Sequence, residues 1–203
     1  ALIVGDSVRE SLKAMSLARL GGVDLALHSP RFIREETADI LAENSELQDV
    51  ISSIAPALIM DGALVQESDD GTVTDRAGRI RVFGIDDRFV SMSEFDDESL
   101  PDGDELILSD RVARQLNAKV GDKLTLWVEM PATIPRESQL GGIEDQDTQS
   151  VPLTVSAIFP EMSGTGRFDL SPAQQMPLTV FVSLKNLQQS VGLDAVRRSR
   201  DSP

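Results

Sequence analysis

The sequence lacks cysteine and tyrosine, and it contains one tryptophan and one histidine. The absence of cysteine excludes disulfides, a cysteine nucleophile, and sites in which cysteine ligates zinc or an iron–sulfur cluster. A single histidine, His28, leaves too few ligands for a typical zinc site. Because aromatic residues make up only 4% of the chain, we expect a core built mainly from aliphatic side chains.

Long apolar runs are absent as well. No stretch approaches the roughly 20 apolar residues that a membrane-spanning helix needs. Residues 1–4 are too short to be the apolar region of a signal peptide. These observations are compatible with a cytosolic chain or with a fragment from between membrane anchors. A length of 203 residues suits one large domain or two small ones.

Positive charge is scarce, since 34 acidic residues stand against 19 Lys and Arg and give a formal net charge of −15. Residues 61–110 carry fifteen acidic and four basic residues, whereas residues 111–203 are balanced. Binding to nucleic acid needs a basic surface, and so does unaided docking on anionic lipid, so the charge argues against both. We interpret this acidic belt mainly as a solubilising surface. The alternative is a face for a cationic ligand or partner.

The most consistent local pattern predicts a strand, a helix, a turn and a second strand over residues 104–128. The apolar run at residues 105–108 ends at Ser109, a residue type that favours a helix N-cap. Apolar residues then recur at helical spacing, and Asn117 suits the left-handed conformation that ends a helix. After Gly121, apolar and polar residues alternate, which predicts a half-buried strand.

Patterns elsewhere predict the remaining elements. The expected elements are strands over residues 23–28, 151–159 and 177–182, a long hairpin over residues 50–85, and helices over residues 6–20, 34–44 (with Ile40 on the inner face) and 184–191. Residues 130–150 contain two prolines and paired glycines, which predicts a long surface loop.

Together these elements predict an α+β fold with mixed β-sheets, a few helices and two subdomains. The main part, similar to an α/β sandwich, would comprise residues 1–103 and 160–203. A small, β-rich inserted part would comprise residues 104–159.

Several segments carry a family resemblance. The first segment comprises residues 107–116, followed by Lys119-Val-Gly-Asp122 and an apolar strand. The other segments are residues 5–12, 82–89, 134–141 and 177–184. In this order they resemble the extracytoplasmic domain of ABC-transporter permeases of the MacB/FtsX type. In that family a strand, a helix and a Val-Gly-Asp turn lead into a small β subdomain.

The resemblance implies a non-catalytic domain that lies outside the cytoplasm, as part of a protein of the cytoplasmic membrane. ATP hydrolysis would belong to a separate cytoplasmic ABC subunit, reached through transmembrane helices, and no cofactor is implied. The domain would contact cargo, a partner protein or a second copy of itself, and would couple this contact to ATP-driven motion. Lipoproteins, peptides and small molecules all fit as cargo, whereas nucleic acid does not. The main part would be the membrane-proximal, porter-like one.

The first helix is the mechanical link to the membrane that this resemblance implies. Ser7 and Glu10 form a capping box, which predicts that the helix begins here. Val8, Leu12 and Met15 follow at helical spacing and would form its apolar stripe.

Four apolar residues are candidates for contact with a partner: Phe32, Phe89, Met92 and Phe95. Isolated apolar residues more often belong to the core, so core packing is the alternative assignment. No structural metal site is expected, although acidic pairs in the sequence could supply oxygen ligands to a weakly bound Ca²⁺ or Mg²⁺ ion. The acidic pairs Asp69-Asp70, Asp86-Asp87 and Asp96-Asp97, and the cluster Glu144-Asp145-x-Asp147, lack the spacing of an EF-hand loop.

An enzymatic alternative centres on Ser7. A strand that delivers Gly5-Asp-Ser7 resembles the nucleophile region of SGNH (GDSL-type) hydrolases, in which the serine needs a nearby base. In that family the base is a histidine near the C-terminus, in an Asp-x-x-His pattern. The only histidine of this chain, His28, lies early, and no Asp-x-x-His occurs. A free-standing interaction module without a membrane link is the third hypothesis.

Overall fold

The computed structural model describes residues 20–29, 31–68, 71–93, 100–130, 148–160 and 178–193, with single positions at 9–11, 13, 14, 17, 168 and 170. The elements in chain order are α1 (Glu36–Ala42), α2 (Ser45–Gln48), β1 (Leu58–Glu67), β2 (Val73–Ile85), a 3₁₀ helix (Asp87–Met92), β3 (Glu105–Ser109), α3 (Asp110–Leu116), β4 (Lys123–Glu129), β5 (Thr148–Phe159), β6 (Leu178–Ser183) and α4 (Leu184–Ser190). Mixed strand pairing with a few helices confirms the α+β class.

The six described strands form one closed barrel in the order β1-β2-β6-β3-β5-β4. Two neighbouring pairs, β2–β6 and β3–β5, are parallel, and the other four are antiparallel. A closed barrel corrects the expectation of a sandwich-like main part. Each predicted part supplies three of the strands, so the sheet does not separate at residues 103 and 160. The division of the chain into a main part and an inserted part stays a prediction.

The predicted hairpin is present as β1 and β2, which pair from Leu58↔Gly84 to Glu67↔Val73. The register shifts between Gly62 and Ala63, so that Arg79 has no partner in the ladder. Arg79 adopts a φ of 57°, which is uncommon for a residue with a side chain. This β-bulge bends the hairpin at the point where β1 also begins to pair with β4.

The central unit folds as its local pattern predicts. Strand β3 leads directly into α3, and Asn117 ends that helix in the left-handed conformation with a φ of 51°. In β4, Leu124, Leu126 and Val128 are buried and alternate with more exposed residues. Ser109 takes the N-cap position of α3, but its side chain makes no capping hydrogen bond.

Three later predictions are confirmed as well. Residues 151–159 lie within β5, residues 178–182 lie within β6, and residues 184–190 form α4. Most of the predicted loop over residues 130–150 lies outside the described residues, which resume at the start of β5.

The core is divided into two clusters on opposite faces of the strands. Successive residues of β2 alternate between them: Ile80 and Val82 belong to the larger, aliphatic cluster, and Phe83 and Ile85 to the smaller one. The smaller cluster contains four phenylalanines, Phe83, Phe89, Phe168 and Phe181, whose rings contact one another. The expected aliphatic core is therefore present, and four of the few aromatic residues are concentrated beside it.

Residues 20–57, called the N-terminal layer from here on, differ most from the predictions. Residues 23–28 form no strand, and Leu25 and Leu27 are 81% and 75% exposed. Helix α1 lies inside the predicted range 34–44, but Ile40 faces solvent instead of the core. The alternation in residues 23–28 was therefore misleading, because no neighbouring strand pairs with it.

The helix predicted over residues 6–20 is described at single positions only. Those positions, among them Arg9, Ala14 and Leu17, are helical. Ser7, Val8, Leu12 and Met15 lie outside the described residues, so their predicted roles stay predictions. Within the described part of the chain, no helix has the length and apolar character needed to cross a membrane.

Candidate interaction surface on the N-terminal layer

Exposed apolar side chains are concentrated in the N-terminal part of the chain. Among the described residues, ten large hydrophobic side chains are strongly exposed, and seven of them fall between residues 17 and 50. They are Leu17, Leu25, Leu27, Phe32, Ile33, Ile40 and Val50. Single exposed apolar residues are ordinary, but a concentration of them in one part of a protein is typical of an interaction surface.

Within this layer, α1 and α2 form a helical hairpin with a groove between them. The Asn44 amide donates to the Leu41 carbonyl in the turn, and the Asn44 side chain caps α2 by accepting a hydrogen bond from the Glu46 amide. After α2, the Ile51 amide donates to the Leu47 carbonyl. The groove has a volume of about 210 Å³ and is lined by Leu41, Ala42, Leu47, Gln48, Ile51, Ser52, Ser53 and Ile54. We call it the α1–α2 groove.

The segment of the chain that contains this groove carries charged residues of one sign. Residues 35–75 contain eleven Asp and Glu and no Lys, Arg or His. Glu43, Glu46 and Asp49, which belong to the helical hairpin or directly flank it, are exposed. The groove therefore lies in an acidic segment that contains no base of its own.

A single arginine ties this layer to the barrel side of the molecule. Arg88, in the 3₁₀ helix, donates to Asp39 at 2.8 Å and to Glu35 at 2.9 Å, both at α1, and to Asp86 at 2.7 Å. Gln188 of α4 donates to the second oxygen of Glu35 at 3.2 Å. These contacts join α1, the 3₁₀ helix and α4, which are far apart in sequence.

The electrostatics of Arg88 are consistent with this role. Partial burial acts to lower its pKa, but the hydrogen bond to Asp86 and the attraction of Asp86 and Asp39 outweigh burial and raise the pKa above its ordinary value. The guanidinium therefore stays cationic, and its fork geometry suits the three carboxylates that surround it.

Two further hydrogen bonds fix the layer to the same 3₁₀ helix. The Gly22 amide donates to the Met92 carbonyl at 2.8 Å, and Ser91 donates to Ser53 at 3.0 Å. Gly21 has a φ of 56°, and a side chain there would meet the Met92 carbonyl oxygen. The paired glycines therefore allow the backbone to approach the 3₁₀ helix closely.

The structure places the predicted contact residues in different environments. Phe32 is exposed and Met92 is half-buried. Phe89 is a correction: it is 4% exposed and packs edge-on against Phe168, so it belongs to the core and is not available to a partner. Phe95 lies outside the described residues.

The residues of the other hypotheses are described only in part. Ser7 lies outside the described residues, and His28 is exposed in a segment that is not a strand. In the described ranges, no three carboxylate or imidazole side chains are grouped so that they could hold a metal ion. Asp86, from one of the acidic pairs, is bonded to Arg88, whereas Asp69, Asp70, Asp96, Asp97 and residues 144–147 lie outside the described part.

The sequence interpretation missed the Arg88 cluster and the groove. Arg88 and Glu35 are 53 residues apart, and no local pattern links them. The groove lies within residues 35–75, a stretch whose lack of basic residues can be read from the sequence. The sequence predicted a single helix over residues 34–44, whereas the structure has two helices with a turn between them.

Comparison with known proteins adds no family assignment. No protein-family model matches the sequence, and no curated protein matches it significantly. The function is therefore argued from the residues and their geometry.

Proposed function

We propose that this chain is a non-catalytic, protein-binding domain from the extracytoplasmic part of a MacB/FtsX-like ABC permease. The observation that carries the proposal is the N-terminal layer, whose exposed apolar side chains are held to a closed barrel by the Arg88 cluster. A surface of this composition on a rigid support is typical of a protein that binds another protein. The strand, helix and turn over residues 105–122 have the order on which the family resemblance rests.

The contacts suggest how such a domain would transmit force. The 3₁₀ helix meets the helical segment before Gly22 through Met92, meets α1 through Arg88, and enters the aromatic cluster through Phe89. A displacement of the N-terminal helix would therefore reach both the groove and the barrel through one short element. This is the mechanotransmission role that the resemblance implies.

In this proposal the roles of the domain are divided. Residues 1–103 and 160–203 form the membrane-proximal, porter-like part, and residues 104–159 form the inserted part, although strands of both share one barrel. A cytoplasmic ABC subunit hydrolyses ATP, and this domain performs no chemistry. Cargo or partner binds at the layer, and the full permease brings two copies of the domain together.

Fractionation of the full-length gene product tests the proposal. We expect the protein to stay in the membrane pellet after alkaline carbonate extraction and to co-purify with an ATP-hydrolysing subunit. Protease added outside intact spheroplasts should cleave this domain, whereas a cytoplasmic marker should survive. A protein found only in the soluble fraction would contradict the permease assignment and favour the free-standing interaction module.

A further inference from the structure

We propose that the α1–α2 groove binds a basic, amphipathic polypeptide segment, in which Lys or Arg side chains flank apolar ones. The inference rests on the proposed protein-binding role of the N-terminal layer and names the chemistry of its partner.

The size of the groove favours side chains of a larger partner over a free small molecule. Small-molecule pockets usually have volumes of about 300–1,000 Å³, and this groove has about 210 Å³. Its lining is mixed: Leu41, Leu47 and Ile51 contribute apolar side chains, and Gln48, Ser52 and Ser53 contribute polar groups. Ile40 and Val50, adjacent to this lining in the chain, are 66% and 80% exposed. One or two apolar side chains of a partner would enter the groove, and its neighbouring residues would contact these exposed side chains.

The acidic residues near the groove favour a partner that carries positive charge. Glu43, Glu46 and Asp49 are exposed close to the groove in the chain, and residues 35–75 supply no cation of their own. Arg88, a cation that reaches this region from the 3₁₀ helix, is already bonded to three carboxylates. Basic groups on the partner would therefore find uncompensated carboxylates, which raises the association rate and selects against acidic partners.

Other occupants fit these observations less well. Nucleic acid and anionic membranes would be repelled by the same charge. A second copy of this chain would bring two base-free acidic stretches together, and like charges across an interface oppose association. An uncharged apolar segment would fill the groove but would leave the acidic residues without partners. A helix with basic and apolar faces satisfies both features.

The test measures binding of a fluorescent peptide of about 18 residues, five helical turns, built from leucine and lysine. Fluorescence anisotropy with the 203-residue chain gives Kd at low and at high salt. We expect saturable binding that weakens as salt rises, because exposed charges are screened. A leucine–glutamate peptide and a serine–lysine peptide of equal length should each bind at least about tenfold more weakly.

Matched charge reversals locate the site. One variant carries Glu43→Lys, Glu46→Lys and Asp49→Lys near the groove. Its control carries Glu67→Lys, Asp104→Lys and Glu129→Lys, three exposed acidic positions on or beside the barrel strands. Both variants change the net charge equally, so a general electrostatic effect would be the same in both. We expect the groove variant to raise Kd about tenfold or more, and the control to raise it less than about threefold. Circular dichroism confirms that both variants are folded.

Several outcomes would overturn the inference. These are equal losses in the two triple variants, equal binding of the serine–lysine peptide, and an absence of binding by the unmodified chain. Formation of a dimer that the groove reversals abolish would assign the surface to self-association instead. Because these measurements do not involve the membrane, peptide binding by a protein that fractionates as soluble would leave the groove assignment intact and remove only the permease assignment.

Discussion

The barrel and the N-terminal layer are stabilised by different interactions. In the barrel, side chains such as Leu64, Leu106 and Leu126 have no solvent exposure, and every strand pairs on both sides along part of its length. In the layer, Ala38 is the one buried residue among those described, and leucines point into solvent. The barrel is held by apolar burial and non-local pairing. The layer is held mainly by polar contacts around the 3₁₀ helix, with Val23 and Ala55 partly buried against the smaller core cluster.

This difference assigns separate roles to the two regions. A well-packed barrel resists local opening, so it can serve as a fixed support. A layer with few buried apolar contacts opens at lower free energy and can adjust to a partner, as binding surfaces often do. The Arg88 cluster is the junction between them, and its loss should affect the layer far more than the barrel.

The largest expected difference between the regions comes from one leucine in each. Leu126→Ala removes a side chain with 0% exposure and should lower the free energy of unfolding by about 2–5 kcal/mol, since it leaves a cavity in the aliphatic core. Leu25→Ala removes a side chain with 81% exposure and should change it by less than about 0.5 kcal/mol. Urea unfolding monitored by circular dichroism measures both. A similar loss of stability in the two variants would show that the Leu25 side chain is packed, and it would contradict the contrast between barrel and layer.

The next largest effect tests the bend of the barrel hairpin. At Gly62 an added Cβ would collide with the Trp127 carbonyl of β4, whereas at Gly78, across the same bulge, nothing lies within 4 Å. Gly62→Ala should therefore cost about 1–3 kcal/mol or more, because the barrel backbone has to move. Gly78→Ala is the matched control and should stay within about 0.5 kcal/mol of the unmodified protein, since its site is open. The urea midpoint of unfolding measures the effect of each substitution. Equal midpoints for the two variants would contradict the close approach of β1 and β4 at Gly62.

A smaller effect is expected at the junction between the regions. Arg88→Gln should cost about 1–2 kcal/mol, because Asp86 is partly buried and would lose its charged partner. Its control is Arg81→Gln, which removes one 3.1 Å pair with the more exposed Asp61 and should cost less than about 0.5 kcal/mol. The raised pKa of Arg88 means that its contribution persists as pH rises and would be lost only in strongly alkaline solution.

The readout that separates local from global effects at Arg88 is amide hydrogen exchange. We expect exchange in α1 to accelerate in Arg88→Gln, while the slowest amides of the barrel strands keep most of their protection. Equal acceleration in both regions would show that the cluster stabilises the whole fold and is not a junction.

The same division explains what the sequence could predict. The unit from β3 to β4 was predicted well because each signal is local: an apolar run, helical spacing, an asparagine at the helix end, and alternation. Closure of the barrel was not predicted, since it depends on pairing between strands far apart in the chain, such as Ile80 with Leu178. Alternation in residues 23–28 resembles that of a strand, but a strand also needs a neighbour with free hydrogen-bonding groups.

The candidate surface was harder to predict than the fold. Of the four predicted contact residues, Phe89 proved to be core, because the aromatic cluster that buries it is formed by residues from four separate segments. The groove depends on how α1 and α2 pack against each other, and the sequence predicted only one helix in this region. The Arg88 cluster depends on a contact across 53 residues. The sequence suggested a cationic partner only as an alternative, and it placed that partner at the acidic belt of residues 61–110.

The smallest expected effect concerns Ser109, where the local pattern predicted the element correctly but not the role of the side chain. Ser109 is 2% exposed, and its hydroxyl has no hydrogen-bond partner among the described residues, although it occupies the N-cap position of α3. An ordinary N-cap serine stabilises its helix, and its replacement by alanine typically costs about 1 kcal/mol. Here the capping bond is not made, and burial of an unsatisfied hydroxyl is itself unfavourable. Ser109→Ala should therefore leave the free energy of unfolding within about 0.5 kcal/mol of its original value, or raise it.

Urea unfolding measures this, and Ser109→Gly is the control, since glycine restores no hydroxyl and adds flexibility where α3 begins. A loss near the full capping value in Ser109→Ala would mean that the hydroxyl caps α3 in solution, and that this end of the barrel core is less tightly packed than its burial indicates.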